Sequence, residues 1–486
     1  MSVMRVALRS RALVSAAGQF RLWTFSCCTL VAAGCASYHP QPIDAHAAAT
    51  AFVQRRLDDP ELINTIAPDL PVPDAESARH GAWPLDALLL AALRLNPTIK
   101  EARARISEAA QGIATARMLP DVTLGLGSEY DLARAQESPW LWSITTDFLL
   151  DSVLKRKLRT DLADAALQGA RLDYAETVWQ VRSRLRAAAV DWSLAERRVA
   201  VLAQITAERA RLVQLIDRRV AAGEASPTDR LTAQLDENRS RAEELAAQRD
   251  LAQAQATLAT TIGVPVDAMA SVHLALRDLD TAVLPSESTL AQLREQALLS
   301  RPDLERAVSE YQAREVELHQ QIRLQYPQLS IGPGYTWDHG IRKATLGISM
   351  TLPIFSRHRG PIAEARARRE AAGEHVLAVQ ARAINEIDAA QRDYTGARAA
   401  HAAMQSVQLA AEKLLASVRR DVQVGGADPV ALATAQISVH SAALDAVQAE
   451  QALQHSLGRW EDALRTPLVG SELSLHSSAT ARSPRR

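Results

Sequence analysis

The sequence predicts a mainly helical protein with a small β part: a duplicated unit of long coiled-coil helices that carries four membrane-type strands per chain. Three observations lead there. Motifs of the first half recur in the same order in the second, two very long stretches run almost free of helix breakers, and four short segments alternate apolar with polar residues.

The duplication organises everything else. Leu93-Arg94-Leu95-Asn96-Pro97, which opens a helix, recurs as Leu299-Ser300-Arg301-Pro302-Asp303. Met118-Leu119-Pro120-Asp121-Val122 recurs as Gln325-Tyr326-Pro327-Gln328-Leu329, and Gly223-Glu224-Ala225-Ser226-Pro227 as Gly425-Gly426-Ala427-Asp428-Pro429. The three proline pairs, Pro97/Pro302, Pro120/Pro327 and Pro227/Pro429, lie 205, 207 and 202 residues apart. The copies are placed at 85–284 and 285–466, between an N-terminal stretch of 84 residues and a Ser/Ala/Arg-rich tail, 467–486, expected to be disordered.

Helix length comes next. From Ser152 to Ala222 there is no proline and one glycine, Gly169; from Ile362 to Val424 there is no proline and only Gly373 and Gly396. At 1.5 Å per residue each run spans roughly 100 Å. Val178, Val181, Leu185, Ala188, Trp192, Ala195, Val199 and Leu202 follow 3-4 spacing, as do Ala400, Met404, Val407, Ala411, Leu414 and Val418. Such thin seams indicate coiled-coil packing. Shorter helices, about 87–118 with 227–262 and about 285–324 with 429–466, are expected to stack end to end beside the long ones. Gly223 and Gly425 then become the tips of helical hairpins.

The strands alternate with period 2. Val122, Leu124, Leu126 and Tyr130 face one way, as do Trp140, Trp142, Ile144 and Phe148; Leu329, Ile331, Tyr335 and Trp337; and Leu346, Ile348, Met350 and Leu352. Between them lie glycine, serine, threonine and acidic residues. One apolar and one polar face suits a barrel with lipid outside and water inside, and about 10 residues is the length a tilted strand needs to cross a bilayer. A soluble antiparallel sheet packed on the helices is the competing reading. Four strands cannot close a barrel, so a membrane barrel requires several chains.

Composition bounds the function. Lys plus Arg is 55 against Asp plus Glu 56 in 486 residues, a net charge of −1. That balance gives no electrostatic case for nucleic-acid binding. Aromatics are 4%, which suits long helices more than a thick core. No apolar run reaches the roughly 18 residues of a spanning helix. The three cysteines are Cys27, Cys28 and Cys35, so no disulfide framework or cysteine-rich metal site is expected beyond them. Gly125-Leu126-Gly127 and Gly332-Pro333-Gly334 lack the rest of a phosphate-binding loop, and the 12 histidines are scattered. An enzyme is not expected, nor a cofactor beyond a covalent lipid.

The first 34 residues read as a secretory signal: Arg5, Arg9, Arg11 and Arg21, then an apolar stretch from Leu22 to Ala33. Leu30-Val31-Ala32-Ala33-Gly34-Cys35 resembles the bacterial lipoprotein box, in which the cysteine is lipidated and becomes the mature N-terminus; an ordinary cleaved signal is the alternative. Ala36-Ser37 follows without an aspartate, which by that resemblance permits sorting to the outer membrane. Several acyl chains give durable anchoring. Residues 35–84, with Pro60, Pro68, Pro71 and Pro73, read as an extended arm from anchor to body.

Together, the lipoprotein-like N-terminus, the doubled strand-pair and helix unit, and the helix lengths resemble the outer-membrane factor family of efflux channels typified by TolC and OprM. Gly347 to Ile362, through Pro353-Ile354-Phe355-Ser356-Arg357-His358-Arg359-Gly360-Pro361, resembles the strand-to-helix corner of its CzcC-like, cation-efflux branch; Phe148 to Ser152 in the first copy lacks the matching proline and glycine. The resemblance implies a homotrimer, a twelve-stranded barrel in the outer membrane and a helical tunnel through the periplasm. It also implies partners, a periplasmic adaptor at the tips around Gly223 and Gly425 and an inner-membrane pump, with the resistance-nodulation-division type favoured. A type I protein-secretion channel, or a coiled-coil scaffold or adaptor outside the membrane, are the alternatives. Where OprM-like proteins constrict the pore with an aspartate, this chain has Thr434, and Thr232 in the first copy. Asp229 and Asp428 near the tips are candidates for a charged ring; a solvated aspartate at a helix start is the plainer reading.

Overall fold

A computed structural model describes residues 38–119, 121–132, 138–149, 155–276, 284–352, 354–355 and 357–469. The signal, Cys35 and most of the tail lie outside the described residues. Residues up to Gln54 form one unit and those from Arg55 a second. In the first, α1 (Ala45–Val53) starts at Asp44, whose carboxylate accepts the amides of His46 and Ala47.

The prolines expected to keep residues 55–80 extended instead start helices. In α2 (Pro60–Ile66) Pro60 follows the N-cap Asp59. In α3 (Val72–Arg79) Pro73 lies in the first turn. Proline at a helix start forfeits an amide that has no partner there anyway. The reading of an extended arm fails here. Leu57, Ile63, Ile66, Leu70 and Ala78 are buried, in one core with Trp83, Leu88, Ile99, Leu185 and Leu258.

Then come β1 (Ala82–Trp83), α4 (Leu85–Leu95), α5 (Pro97–Ala116), β2 (Thr123–Tyr130), β3 (Trp140–Leu149), α6 (Arg156–Ala221), α7 (Pro227–Ile262) and β4 (His273–Leu274), which pairs in parallel with β1. The second copy supplies α8 (Glu287–Ser300), α9 (Pro302–Arg323), β5 (Gln328–Asp338), β6 (Ile341–Thr351), α10 (Arg359–Gln423) and α11 (Pro429–Leu464). The long helices hold 66 and 65 residues. α6 packs against α5, α7, α9 and α11, and α10 against α9 and α11.

Two equivalent junctions fix the stacking of the short helices. Asn96 caps α5 through the amides of Thr98 and Ile99, and its Nδ2 donates to Thr261 O at the end of α7 (2.6 Å). In the second copy Arg301 takes that place, its Nη1 donating to Ala463 O near the end of α11 (2.9 Å). The residue closing α7 is Gly263 at φ 94°, where a Cβ would sit 2.8 Å from Leu95 O. Its counterpart Arg465, at φ 52°, is held by Glu176 at 2.8 Å.

Most of the first predicted seam is buried, with Val181, Leu185, Ala188, Trp192 and Leu202 inside and Val178, Ala195 and Val199 half-buried. The second is not. α10 turns Ala365, Ala372, Val379, Ala383, Ile387 and Ala390 inward, whereas Val407 (47%) and Leu414 (53%) stay exposed. The expectation of no helix apolar enough to span also needs correction: among the described residues α11 qualifies by length and composition, with a mean hydropathy of 1.3 in its best window. α11 lies against α6 and α10.

Between α6 and α11 lies a buried ionic cluster. Glu461, fully buried, accepts from Arg182 Nη1 (2.9 Å), pairs with Arg186 Nε (3.2 Å) and accepts the Leu468 amide (2.8 Å). Arg186 also donates to Gln454 O (2.8 Å) and Oε1 (3.1 Å). Glu461→Ala leaves two buried guanidiniums without their carboxylate, and a loss of about 3–5 kcal/mol is expected, read as a lower thermal unfolding midpoint. Near the second junction Asp303 faces Arg301 at 2.7 Å. Burial pushes its carboxyl upward, but the hydrogen bond and charge of Arg301 outweigh this and hold it below the usual range. A depressed carboxyl stabilises above its unfolded pKa, about 3.9, and loses that contribution as pH falls through the lower folded value. Acid melts of Asp303→Asn are therefore expected to lack part of the wild-type decline below about pH 4.

Candidate functional site

The sheet has the order β2-β3-β5-β6, all neighbours antiparallel. Directly opposed residues in antiparallel strands share a face, so the register tests the predicted faces. Leu126 opposes Ile144, which opposes Tyr335; Phe148 opposes Ile331, which opposes Ile348; Leu329 opposes Met350. The predicted apolar residues share one face. Leu126, Leu346, Ile348 and Met350 are 55–73% exposed. The helices do not cover this side of the sheet.

The other face carries Gly125, Gly127, Gly332, Gly334 and Gly347 among serines and threonines. A Cβ at Gly125 would lie 2.6 Å from Thr145 Oγ1, and one at Gly127 equally close to Ser143 Oγ. These glycines leave room for the hydroxyls opposite them. Trp142 opposes Trp337 and Tyr130 opposes Trp140 toward the loop end, where Tyr130 and Trp140 meet edge to face at 4.8 Å. β5 and β6 join there through His339-Gly340, both at positive φ (47° and 98°), the backbone that a two-residue hairpin turn requires. β2 and β6 are the edge strands, each with one neighbour.

At the far ends of the long helices are two hairpin tips of identical backbone design. Gly223 (φ 78°) donates to Val220 O and Glu224 to Arg219 O; Gly425 (φ 79°) donates to Val422 O and Gly426 to Asp421 O. This double closure satisfies the last carbonyls of each helix and needs a left-handed residue, which glycine supplies without strain. The returning helices are capped differently. Ser226 and Asp229 exchange hydrogen bonds (Asp229 N to Ser226 Oγ 3.2 Å; Ser226 N to Asp229 Oδ2 2.9 Å). Asp428 accepts the Ala431 amide at 2.7 Å. Hydrogen bonds from Ser226 hold the Asp229 carboxyl below its usual range. Thr232 and Thr434 donate to carbonyls of their own helices, Thr228 O and Val430 O.

An ion pair joins the tips: Arg219 of the first hairpin reaches Asp428 of the second at 3.0 Å. The sequence singles out Asp428 but not its pairing with Arg219, for which the signal is an arginine before one glycine tip and an aspartate after the other. Metal ligands do not gather: no cluster of three or more His, Cys, Asp or Glu that could hold an ion occurs among the described residues.

The doubled architecture has a direct counterpart in known proteins. The outer membrane efflux protein model matches in two blocks, residues 88–264 and 293–464, one per copy. The chain belongs to the outer membrane efflux protein family. It is 26% identical over 313 residues to the cobalt-zinc-cadmium resistance protein CzcC of Cupriavidus metallidurans, covering 64% of this chain and 72% of that one. The outer membrane protein VceC of Vibrio cholerae superposes with a TM-score of 0.64 at 19% identity, over 79% of this chain and 96% of that one. The open state of the Neisseria gonorrhoeae MtrE outer membrane channel gives 0.63 at 18%, over 79% and 89%. In an efflux protein the exposed apolar face of the sheet has a physical purpose, and the tips lie at the opposite end of the long helices.

Asp428→Ala removes a helix cap and the cross-tip pair together. A cost of about 0.5–2 kcal/mol is expected at the start of α11, visible as faster amide hydrogen exchange around 428–434 with α6 unchanged at its middle.

Proposed function

We propose that three copies of this chain form a twelve-stranded barrel in the outer membrane, continued by a helical tunnel into the periplasm, and that Cys35 carries a lipid anchor. The carrying observation is the sheet: an uncovered apolar face, a polar glycine-rich face and two edge strands. Hydrocarbon offers no partner for the free amides and carbonyls of an edge. Pairing β6 of one copy with β2 of the next satisfies all of them when the ring closes. The exposed seam at Val407 and Leu414 supports the same arrangement lower down, since apolar residues at heptad spacing call for a neighbouring helix.

Transport through such a channel is physical rather than chemical. Substrates handed over by a periplasmic adaptor and an inner-membrane pump, of the resistance-nodulation-division type, pass through water lined by the polar sheet face and leave outside the cell. The likeness to a cobalt-zinc-cadmium resistance protein favours divalent cations as cargo. The tips around Gly223 and Gly425 meet the adaptor. The ring of Asp229, Thr232, Asp428 and Thr434 narrows the periplasmic entrance, and Arg219 with Asp428 ties the two hairpins of one chain in the narrow state.

The test is single-channel conductance of the detergent-extracted protein in a planar bilayer, with chemical cross-linking to count subunits. A cross-linked trimer of low conductance, raised in Arg219→Ala, is expected. A chain that leaves the cells without detergent and never conducts would overturn the proposal. Leu126→Arg and Ile348→Arg each put a charge on the lipid side at a cost of about 2–4 kcal/mol near mid-bilayer, so both are expected to lower trimer yield. Palmitate labelling that is lost in Cys35→Ser checks the anchor.

A further inference from the structure

The two ends of the sheet differ in charge. In the antiparallel register Thr123 opposes Asp147, Leu149 opposes Ser330 and Gln328 opposes Thr351, so all four strand ends that lead to helices gather at one end. Arg159 Nη2 donating to Met118 O (3.2 Å) ties the start of α6 to the segment entering β2. The described residues that meet there, 117–119, 121–122, 155–161, 323–328, 352, 354–355 and 357–361, contain eight Lys or Arg and two Asp, a net +6. The described loop residues at the opposite end, 129–132, 138–140 and 338–343, contain two Lys or Arg and three Asp or Glu, a net −1. The whole chain is −1, so the basic end is a local concentration rather than a reflection of composition.

Apolar side chains project from the same end. Phe355 is 98% exposed and Ile354 64%, on the corner between β6 and α10, with Met118 (66%) and Tyr326 (59%) on the neighbouring segments. Arg357 and His358 hold that corner in two successive left-handed conformations, φ 46° and 56°, which only a constrained turn imposes on non-glycine residues. Arg156, Lys157, Arg357 and Arg359 are exposed beside it.

We propose that this basic, apolar-studded end binds the anionic phospholipid headgroups of the membrane leaflet facing the tunnel. The proposal rests on the membrane reading above and adds a lipid preference to it. An aromatic such as Phe355 enters the boundary between headgroups and acyl chains, while the basic groups meet the phosphates. Each Lys or Arg near an anionic surface contributes about 1 kcal/mol, roughly a fivefold change in binding. The absence of excess positive charge at the other end makes the effect one-sided, so it also sets which way the barrel faces.

The experiment reconstitutes the full-length protein into vesicles of phosphatidylcholine and phosphatidylglycerol at roughly 7:3, extracts it in mild detergent, and counts retained lipids by native mass spectrometry. Retained phosphatidylglycerol is expected to exceed its supplied share about fivefold or more. That excess is expected to fall at about 0.5 M salt, where the screening length is a few ångströms. It is also expected to fall in the variant R156Q/K157Q/R357Q/R359Q, and Phe355→Ser is expected to retain less lipid of both kinds. Wild-type protein that incorporates but retains the two lipids in the supplied ratio overturns the headgroup proposal while leaving the channel intact. Protein that enters neither these vesicles nor pure phosphatidylcholine overturns the membrane reading with it.

Discussion

The carboxylate of Glu461 is the point on which the two copies depend. Helices this long, packed through alanine-rich seams, bury little apolar area per residue, and dispersion and burial alone position them loosely along their axes. Arg182 and Arg186 on α6 close on Glu461 of α11 with fixed geometry, and Gln454 and the Leu468 amide take up further donors and acceptors. A buried charge tolerates no slippage, because any shift strands an unpaired ion. The cluster therefore sets the axial register between the first and second copies, whereas the alanines around it set only their separation.

Around this fixed middle, each end of the molecule is specialised by what it leaves unsatisfied. The sheet end leaves an apolar face and two edges uncovered, and the tip end leaves short loops with charged caps. Both features would be liabilities in an isolated soluble domain. In the proposed trimeric channel they become the lipid contact, the subunit contact and the entrance. The ion pair between the tips, Arg219 with Asp428, is largely exposed and screened, worth about 0–1 kcal/mol. That is the right scale for the entrance proposed above, and the wrong scale for a structural bolt.

What could be read from the sequence followed periodicity. The strand faces emerged because a period of 2 is unambiguous over four segments, and the doubling emerged because proline and glycine punctuation recurs at nearly constant distance. The first long seam was legible for the same reason. Local punctuation misled where one signal has two meanings: Pro60 and Pro73 break extended chain patterns and also start helices, and only burial of Ile63, Ile66 and Ala78 selects the second. Glu461 with Arg182 was illegible because its partners are 279 residues apart in sequence, with no local pattern to join them. The α10 seam misled in another way, since a heptad stripe shows that a partner exists but not whether it belongs to the same chain.

The two junctions at Asn96 and Arg301 have a consequence for how such a molecule changes over time. On one side of each copy runs a single uninterrupted helix; on the other, two shorter helices meet end to end and are joined by a hydrogen bond to a terminal carbonyl. Such an arrangement works as a ruler with a splice. Removing about one heptad from α6 would shift its far end by two turns, and the splice at Thr261 and Asn96 would part unless α7 or α5 shortened equally. The second copy must then follow, because its tip stands beside the first. Length in this architecture is thus inherited as a matched set of edits, and a lineage can lengthen or shorten its reach only in coordinated steps.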